Sequence, residues 1–396
     1  MKTICLVLQV HQPFIFNRYR FFDIGNHHAY DDEHANETHL VNLAKTCYLP
    51  ANHLLLRLIK SQGDRLKVAF FLSGVTLDQL EVYATEVYDS FQLLADTGCV
   101  EFLSGTYSNS LSSLYDEDAF RQQVKDHQVA MIDLTSRTSN VFFNTGLMYD
   151  DELGARIAEM GFKGIITEGT RKVLGWKTPN TLFSGALQPT LKVLLRNSEL
   201  SQDLVRRFSD ETWSEYPLTP QKYLSRILSP GEEHSLINLV MPYETFGNIQ
   251  KEKSGIFHFL DHFLFLASHS PELQFSTPSE IIESRQPESM IRIPQVASWD
   301  CEKNNISEWT ANELQQEAVS KLYELTPQMN KVSDPNILLD WQRLQIADHF
   351  KYMSTTYLSM NQEPPDNPYG SPFEAFINYM NILNDFKIRL QQQSKK

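Results

Sequence analysis

Short apolar, β-rich runs alternate along most of the chain with stretches whose apolar positions recur every three or four residues. The runs at 4–10, 67–72, 100–103, 141–145, 164–167, 191–196, 236–241 and 273–276 have the length and composition of strands. Between them, Leu54, Leu55, Leu58 and Ile59 follow the spacing of one helical face, as do Leu153, Ile157 and Met160. Strands alternating with helices predict βα units and a parallel sheet. Seven or eight such strands favour a closed or nearly closed barrel over an open sheet. The pattern changes near residue 285. The stretch 285–294 reads as a linker, and apolar periodicity beyond it predicts three long helices, roughly 307–326, 335–360 and 371–393.

Composition adds limits rather than detail. Hydrophobic residues at 41% and charged residues at 21% are ordinary for a soluble globular protein of 396 residues. A net charge of −14 argues against nucleic acid and anionic membrane surfaces as partners. The apolar run at the N-terminus is too short for a secretion signal, contains Gln9, and meets His11-Gln12-Pro13 without a small-residue cleavage site. It reads as the first strand. No segment approaches the roughly 20 apolar residues that span a bilayer. Cys5, Cys47, Cys99 and Cys301 are far apart in apolar contexts, as buried thiols of a reducing compartment would be, so the cytoplasm is the expected location.

Candidate chemistry gathers where strands run into polar loops, the usual address of catalytic groups in an α/β barrel. His11 closes the first strand, where it either reaches a substrate hydroxyl or caps a turn. The run 141–150 carries Gly146 where its surroundings call for a carboxylate, and the run 239–247 carries Pro242 in the equivalent place. Neither residue can attack a carbon or donate a proton. Glu168 ends another strand. Asp150 and Asp151 begin a helix and read as caps. Glu244 would point the same way as Pro242 if the strand continued. Trp299 stands at the start of the helical region, and Asp348 and His349 interrupt an amphipathic helix as a buried pair or a cleft wall. The loop 25–34 holds three His and three carboxylates. His27 with Asp31, and His28 with Asp32, could face each other across a helical turn, yet no ligand signature is present, and neither metal nor cofactor is expected.

Taken together these residues resemble the α-amylase-type members of glycoside hydrolase family 57, nearly end to end. The resemblance is carried by His11-Gln12-Pro13, Cys47-Tyr-Leu-Pro-Ala-Asn52, Phe71-Leu-Ser-Gly74, Leu174-Gly-Trp-Lys-Thr-Pro-Asn180, Phe208-Ser-Asp-Glu-Thr-Trp-Ser-Glu215, Tyr243-Glu-Thr-Phe-Gly247, Ala297-Ser-Trp299, Asp348-His-Phe-Lys-Tyr-Met353 and Ser371-Pro-Phe-Glu-Ala-Phe-Ile-Asn-Tyr-Met380. It implies a distorted (β/α)7 barrel over 1–285 and a C-terminal helical domain over 286–396 that closes the cleft. It also implies action on α-glucans with retention, which takes two carboxyl groups about 5–5.5 Å apart. The family's nucleophile is a Glu in an Asn-Thr-Glu-Leu context, which here reads Asn144-Thr145-Gly146-Leu147. Its acid/base is an Asp directly before Tyr-Glu-Thr-Phe-Gly, which here is Pro242. Gly105, Asn109, Asn248 and Ile249 stand where the family commonly has further Glu and His residues. Framework segments match, while polar groups of the cleft are gone.

The resulting expectation is an amylase-like α/β protein of α-glucan metabolism, catalytically inactive, with a residual carbohydrate-binding cleft. His11, Tyr107, Glu168, Trp176, Trp299, Asp348 and His349 would line that cleft, with Trp299 stacked on a glucose ring. No catalytic residue is intact, and Glu244 is the fallback candidate. Two alternatives stay open: an active retaining hydrolase or 4-α-glucanotransferase using displaced carboxylates, and a non-catalytic scaffold or regulatory partner of glycogen enzymes. The expected partner is an α-glucan or maltooligosaccharide.

Overall fold

A computed structural model of the chain describes residues 1–169, 174–175, 177–229, 231, 235–299, 305–356 and 367–393. Its strands are β1 (Lys2–Val10), β2 (Val68–Leu72), β3 (Val100–Phe102), β4 (Val141–Phe143), β5 (Gly164–Glu168), β6 (Leu182–Gly185), β7 (Lys192–Arg196), β8 (Leu236–Pro242), β9 (Phe246–Gly247), β10 (Gln250–Lys251), β11 (Leu273–Phe275) and β12 (Ser289–Ile291).

Continuous apolar runs have no face to offer water and must be covered on both sides. Alternate residues do this here. Cys5, Val7, Ala69, Phe71, Phe143, Ile166, Leu194 and Val240 join one cluster, while Leu6, Leu8, Val68 and Phe70 join another with the helices outside. The first cluster is the filling of a barrel. Strands β3, β2, β1, β8, β7, β5 and β4 lie side by side in that order, each parallel to its neighbour. Ser104, just past β3, closes the ring by bridging Phe142 of β4. Its amide donates to the Val141 carbonyl at 3.2 Å, and its carbonyl accepts from the Phe143 amide at 2.8 Å. The chain is therefore the expected seven-stranded parallel barrel with a helical region after it.

Three expectations change. The stretch 285–294 is more than a linker: β12 within it pairs with β6, and Ile293 is fully buried. Strand β6 itself, absent from the apolar runs, turns back antiparallel to β7 outside the ring. The run at 273–276 is β11, which takes the lower part of the β1 edge that β2 takes higher up, and is not a member of the ring.

The helices after residue 305 are also more broken than their periodicity predicts. The first becomes Ser307–Thr310, Glu313–Tyr323 and Thr326–Met329, with Asn312 capping the middle piece through the Gln315 amide at 2.9 Å. The second stops at Leu344 and restarts as Asp348–Lys351, because the backbone of Ile346 leaves the helix to bridge Ser110. Only the last, Pro372–Gln393, runs unbroken. These helices share a core that includes Trp309, Leu322, Trp341, Phe350 and Tyr379, and it also takes in Phe16, Tyr19, Leu111 and Met148 from the barrel loops. Among the described residues no helix is long and apolar enough to cross a membrane. Cys5, Cys47 and Cys99 are buried free thiols, as expected, and Cys301 lies outside the described residues.

One interior histidine makes a measurable consequence. His127, on the helix Glu117–Thr135, is fully buried. The Gly105 amide donates to its Nδ1 at 3.2 Å, so its proton sits on Nε2 and is donated to the Leu72 carbonyl at 2.9 Å. Burial holds its pKa down to about 4. The unfolded chain therefore takes up a proton, between about pH 6.5 and 4, that the folded chain refuses. Stability from this group is complete above pH 6.5 and lost as the pH falls. Urea melts across that range should show the wild type losing roughly 1 kcal/mol per pH unit more than His127→Gln. Parallel pH profiles for the two would refute the assignment.

Candidate functional site

The helical region meets the barrel at the C-terminal ends of its strands, where Trp309 packs against Gly146 and the Ile346 backbone bridges Ser110. His11, directly after β1, links the two units. Its Nδ1 lies 2.7 Å from Ser73 Oγ, and its Nε2 lies 2.9 Å from Asp348 Oδ2. Ser73 is buried, whereas the Asp348 side chain is 26% exposed, so the carboxylate is the open end of this Ser-His-Asp chain. Burial pushes the Asp348 carboxyl up, but the hydrogen bond and charge of His11, with Lys351, bring it below its usual value. Asp348 stands in the first turn of a short helix and not mid-helix.

The two positions expected to have lost a carboxylate differ in kind. Gly146 has φ +56°, a left-handed conformation, inside a one-turn 3-10 helix after β4. A Cβ added there would meet Trp309 Cη2 at 2.5 Å and Ser298 Oγ at 3.1 Å. The space of a side chain at 146 is filled by the helical region. The Gly146 carbonyl is held as well, accepting from the Trp299 amide at 3.0 Å and from Ser298 Oγ at 2.8 Å. Pro242 ends β8 opposite Gln9 of β1 and leads into the turn Tyr243–Thr245. The strand does not continue, so the simple alternation expected to align Glu244 with Pro242 does not apply. Gly105 is closed in the same manner as Gly146. A Cβ there would collide with the Phe71 ring and lie 2.6 Å from the Phe143 carbonyl. Phe71 itself stacks on Phe143 at 4.8 Å.

The carboxylates that remain nearby are engaged. Glu168, at the end of β5, pairs with Arg196, at the end of β7, at 2.7 Å. Their side chains are 1% and 3% exposed, so this ion pair is buried and does not face a cleft. Arg196 also donates from Nε to the Val240 carbonyl at 2.8 Å and lies 5.1 Å over the Trp299 ring. Glu244 is buried, with Oε1 accepting from Gln12 Nε2 at 2.8 Å and from the Tyr48 hydroxyl. Burial pushes its carboxyl above the usual range, against the pull of those donors.

The other expected residues separate. Tyr107 is half-buried beside Gly74, and its hydroxyl donates to Asp78 Oδ1 at 2.6 Å. His349 is no cleft wall: it is 2% exposed, stacks on Phe16 at 4.2 Å, and hydrogen-bonds the Arg343 carbonyl at 3.1 Å. Burial lowers its pKa to about 4. Trp299 is partly exposed at the mouth, and Trp176 lies outside the described residues. Asn109, with φ 49°, is buried, whereas Asn248 is half-buried and Ile249 exposed. In the loop 25–34 the anticipated His–Asp pairs do not form. His28 meets Asp385 at 2.7 Å, Asp31 pairs with Arg343, and Asp32 caps the helix Glu33–Leu43. Among the described residues no three His, Cys, Asp or Glu are grouped to hold a metal. Asp150 caps its helix as expected, through the Leu153 amide at 2.7 Å.

Trp309 and Arg196 were not singled out by sequence, and Ser298 stood only inside the Ala297–Trp299 motif. Arg196 had the same signal as Glu168, a charge ending an apolar strand. Trp309 had none, because its contact is set by tertiary packing. Two outcomes follow. Gly146→Ala should lower unfolding stability by about 2–4 kcal/mol, through the left-handed backbone and the collision with Trp309, and Gly146→Glu by more. A melt unchanged in Gly146→Ala would show that the space is open. Glu168→Gln should cost about 3–5 kcal/mol by stranding Arg196, whereas Glu168→Leu with Arg196→Met should recover much of it. Denaturant titration of the three variants checks this.

Comparison with known proteins agrees with this fold. The chain is 33% identical over 399 residues to a Methanocaldococcus jannaschii protein named "Putative alpha-amylase", covering 97% of this chain and 84% of that one. Its fold matches a family 57 branching enzyme from Thermococcus kodakaraensis with a TM-score of 0.68 at 14% identity, covering 98% of this chain and 90% of the other. It also matches the 4-alpha-glucanotransferase of Thermococcus litoralis with a TM-score of 0.59 at 13% identity, covering 96% of this chain but 55% of that larger one. Residues 5–294 match the sequence model described as Glycosyl hydrolase family 57, and the chain belongs to that family.

Proposed function

We propose that this chain is a cytoplasmic, amylase-like protein of α-glucan metabolism that binds glucan without hydrolysing it. The observation that carries this reading is the packing of Trp309 and Ser298 into the space of a side chain at Gly146. A retaining glycosidase needs a nucleophile and an acid/base about 5–5.5 Å apart across the bond. By the resemblance in sequence, glycine and proline stand at the two positions where the family carries them. Of the nearby alternatives, Glu168 is committed to Arg196 and Glu244 to Gln12 and Tyr48. What remains suited to a sugar is the partly exposed Trp299 face, with the open side of the Asp348 carboxylate as acceptor; His11, both of whose ring nitrogens are taken, orients that carboxylate, and the Tyr107 hydroxyl would have to share its bond to Asp78. Trp176 belongs to the proposed surface by resemblance alone.

A second reading, a hydrolase or transferase working with displaced carboxylates, has one observation in its favour. The Glu244 carboxyl is held above its usual range and that of Asp348 below, and the charge of His11 acts on both. Groups pushed apart in this way are a common source of an acid and a base.

Isothermal titration with maltoheptaose, beside a reducing-sugar assay on the same sample, distinguishes the two. The first reading expects heat of binding without product, and about tenfold weaker binding in Trp299→Ala. Product that disappears in Glu244→Gln would establish the second. Neither heat nor product at millimolar maltoheptaose would remove both.

A further inference from the structure

We propose that His258 and His262, on the outward face of the helix Ile256–His269, form a two-imidazole site for a late first-row divalent metal ion: Cu²⁺, Ni²⁺ or Zn²⁺. The site stands on the outside of the barrel, and nothing in it rests on the glucan reading above.

The helix turns Phe259, Leu260, Phe263, Leu264 and Ala267 into the outer core, which leaves His258, His262, Phe265 and His269 exposed. Positions 258 and 262 are one turn apart on the same face, so their side chains meet. The two imidazole rings lie 4.0 Å apart, centre to centre, with 21° between their planes. The His262 Nδ1 is 3.0 Å from the His258 carbonyl. A carbonyl only accepts, so Nδ1 carries the proton, and the lone pair of the neutral ring is on Nε2. A metal-bound histidine has this arrangement: its second nitrogen is almost always tied to a carbonyl, a carboxylate or water, which fixes the tautomer. The His258 ring forms no hydrogen bond among the described residues, so a nitrogen of it is available as the second ligand.

Two nitrogens held by one ion at about 2.0–2.1 Å are themselves about 3 Å apart, so stacked rings need only tilt toward each other to grip it. Imidazole suits Cu²⁺, Ni²⁺ and Zn²⁺, whereas Mg²⁺ and Ca²⁺ take oxygen ligands. Asp261 is next to His262 in sequence, but Arg57 holds its carboxylate at 3.0 Å, so it is not counted as a ligand. Lys251, Glu252 and Lys253 precede the helix. The chain's net charge of −14 favours a cation over all. Two protein ligands leave the other coordination positions to water, which makes the site an open and exchangeable one. His269 offers a comparison on the same face. Its Nδ1 likewise meets a carbonyl, that of Phe265, at 2.9 Å, but its ring packs 4.3 Å from the Phe265 ring. It therefore supplies one ligand where the pair supplies two.

The test is titration calorimetry of the untagged full chain with NiCl₂, CuCl₂ and MgCl₂, slightly above neutral pH. Ni²⁺ should bind, Cu²⁺ should bind more tightly than Ni²⁺, and Mg²⁺ should not bind. His258→Gln and His262→Gln should each weaken Ni²⁺ binding by about tenfold or more, because either one breaks the chelate. His269→Gln should leave it unchanged. Thermal melts give a second reading: Ni²⁺ should raise the melting temperature of the wild type and of His269→Gln, but not of the other two variants. The proposal fails if Ni²⁺ gives no heat at submillimolar concentration, if Mg²⁺ binds as tightly, if His258→Gln or His262→Gln binds Ni²⁺ as the wild type does, or if His269→Gln loses as much.

Discussion

The contact between barrel and helical region past β4 depends on residue 146 having no side chain. With φ +56° and a backbone carbonyl held by Ser298 and Trp299, the position accepts Trp309 from the helical region directly above it. Any larger residue would have to push away an indole that is itself 2% exposed and part of the helical core. Interiors packed to this density do not yield to one side chain without shifting several. The glycine is thus a packing contact between two units of the chain, and what stands at 146 is coupled to the way the units meet.

Charge at the mouth follows the same logic of closure. A buried carboxylate is tolerated when a cation or several donors face it. Glu168 has Arg196, and Glu244 has Gln12 and Tyr48. Asp348 differs, because its partner His11 approaches from one side and water reaches the other. It is the carboxylate of this group with the least committed surface.

Much of the barrel was legible because a strand buried on both faces must be a continuous apolar run, and seven of the eight predicted runs became its staves. Strand β6 was not, since Leu182-Phe-Ser-Gly185 is short and half polar and is held by pairing with β7. The break at Ile346 was hidden for a related reason. Its periodicity is helical, and only the bridge to Ser110, far away in sequence, takes it out of the helix. Gly146 and Gly105 were legible in the sequence as positions without a side chain. The groups that fill their places, Trp309 at Gly146 and Phe71 at Gly105, come from contacts that no local pattern encodes.

The loop after β1 joins the two ends of the chain. His28 and Gly25 both reach Asp385 on the last helix, Tyr19 is clamped by Asn378 and Asn381, and the Phe16 amide donates to the Tyr369 hydroxyl at 3.0 Å. The contact between His28 and Asp385 spans 357 residues. During synthesis the first strand can find β2 early, but its following loop has no partner until the final helix leaves the ribosome. Until then Phe16, Tyr19 and Tyr30 stay without the core that buries them. Contacts this distant in sequence slow folding because the intervening chain must be ordered first. The first loop to be made is thus among the last to settle.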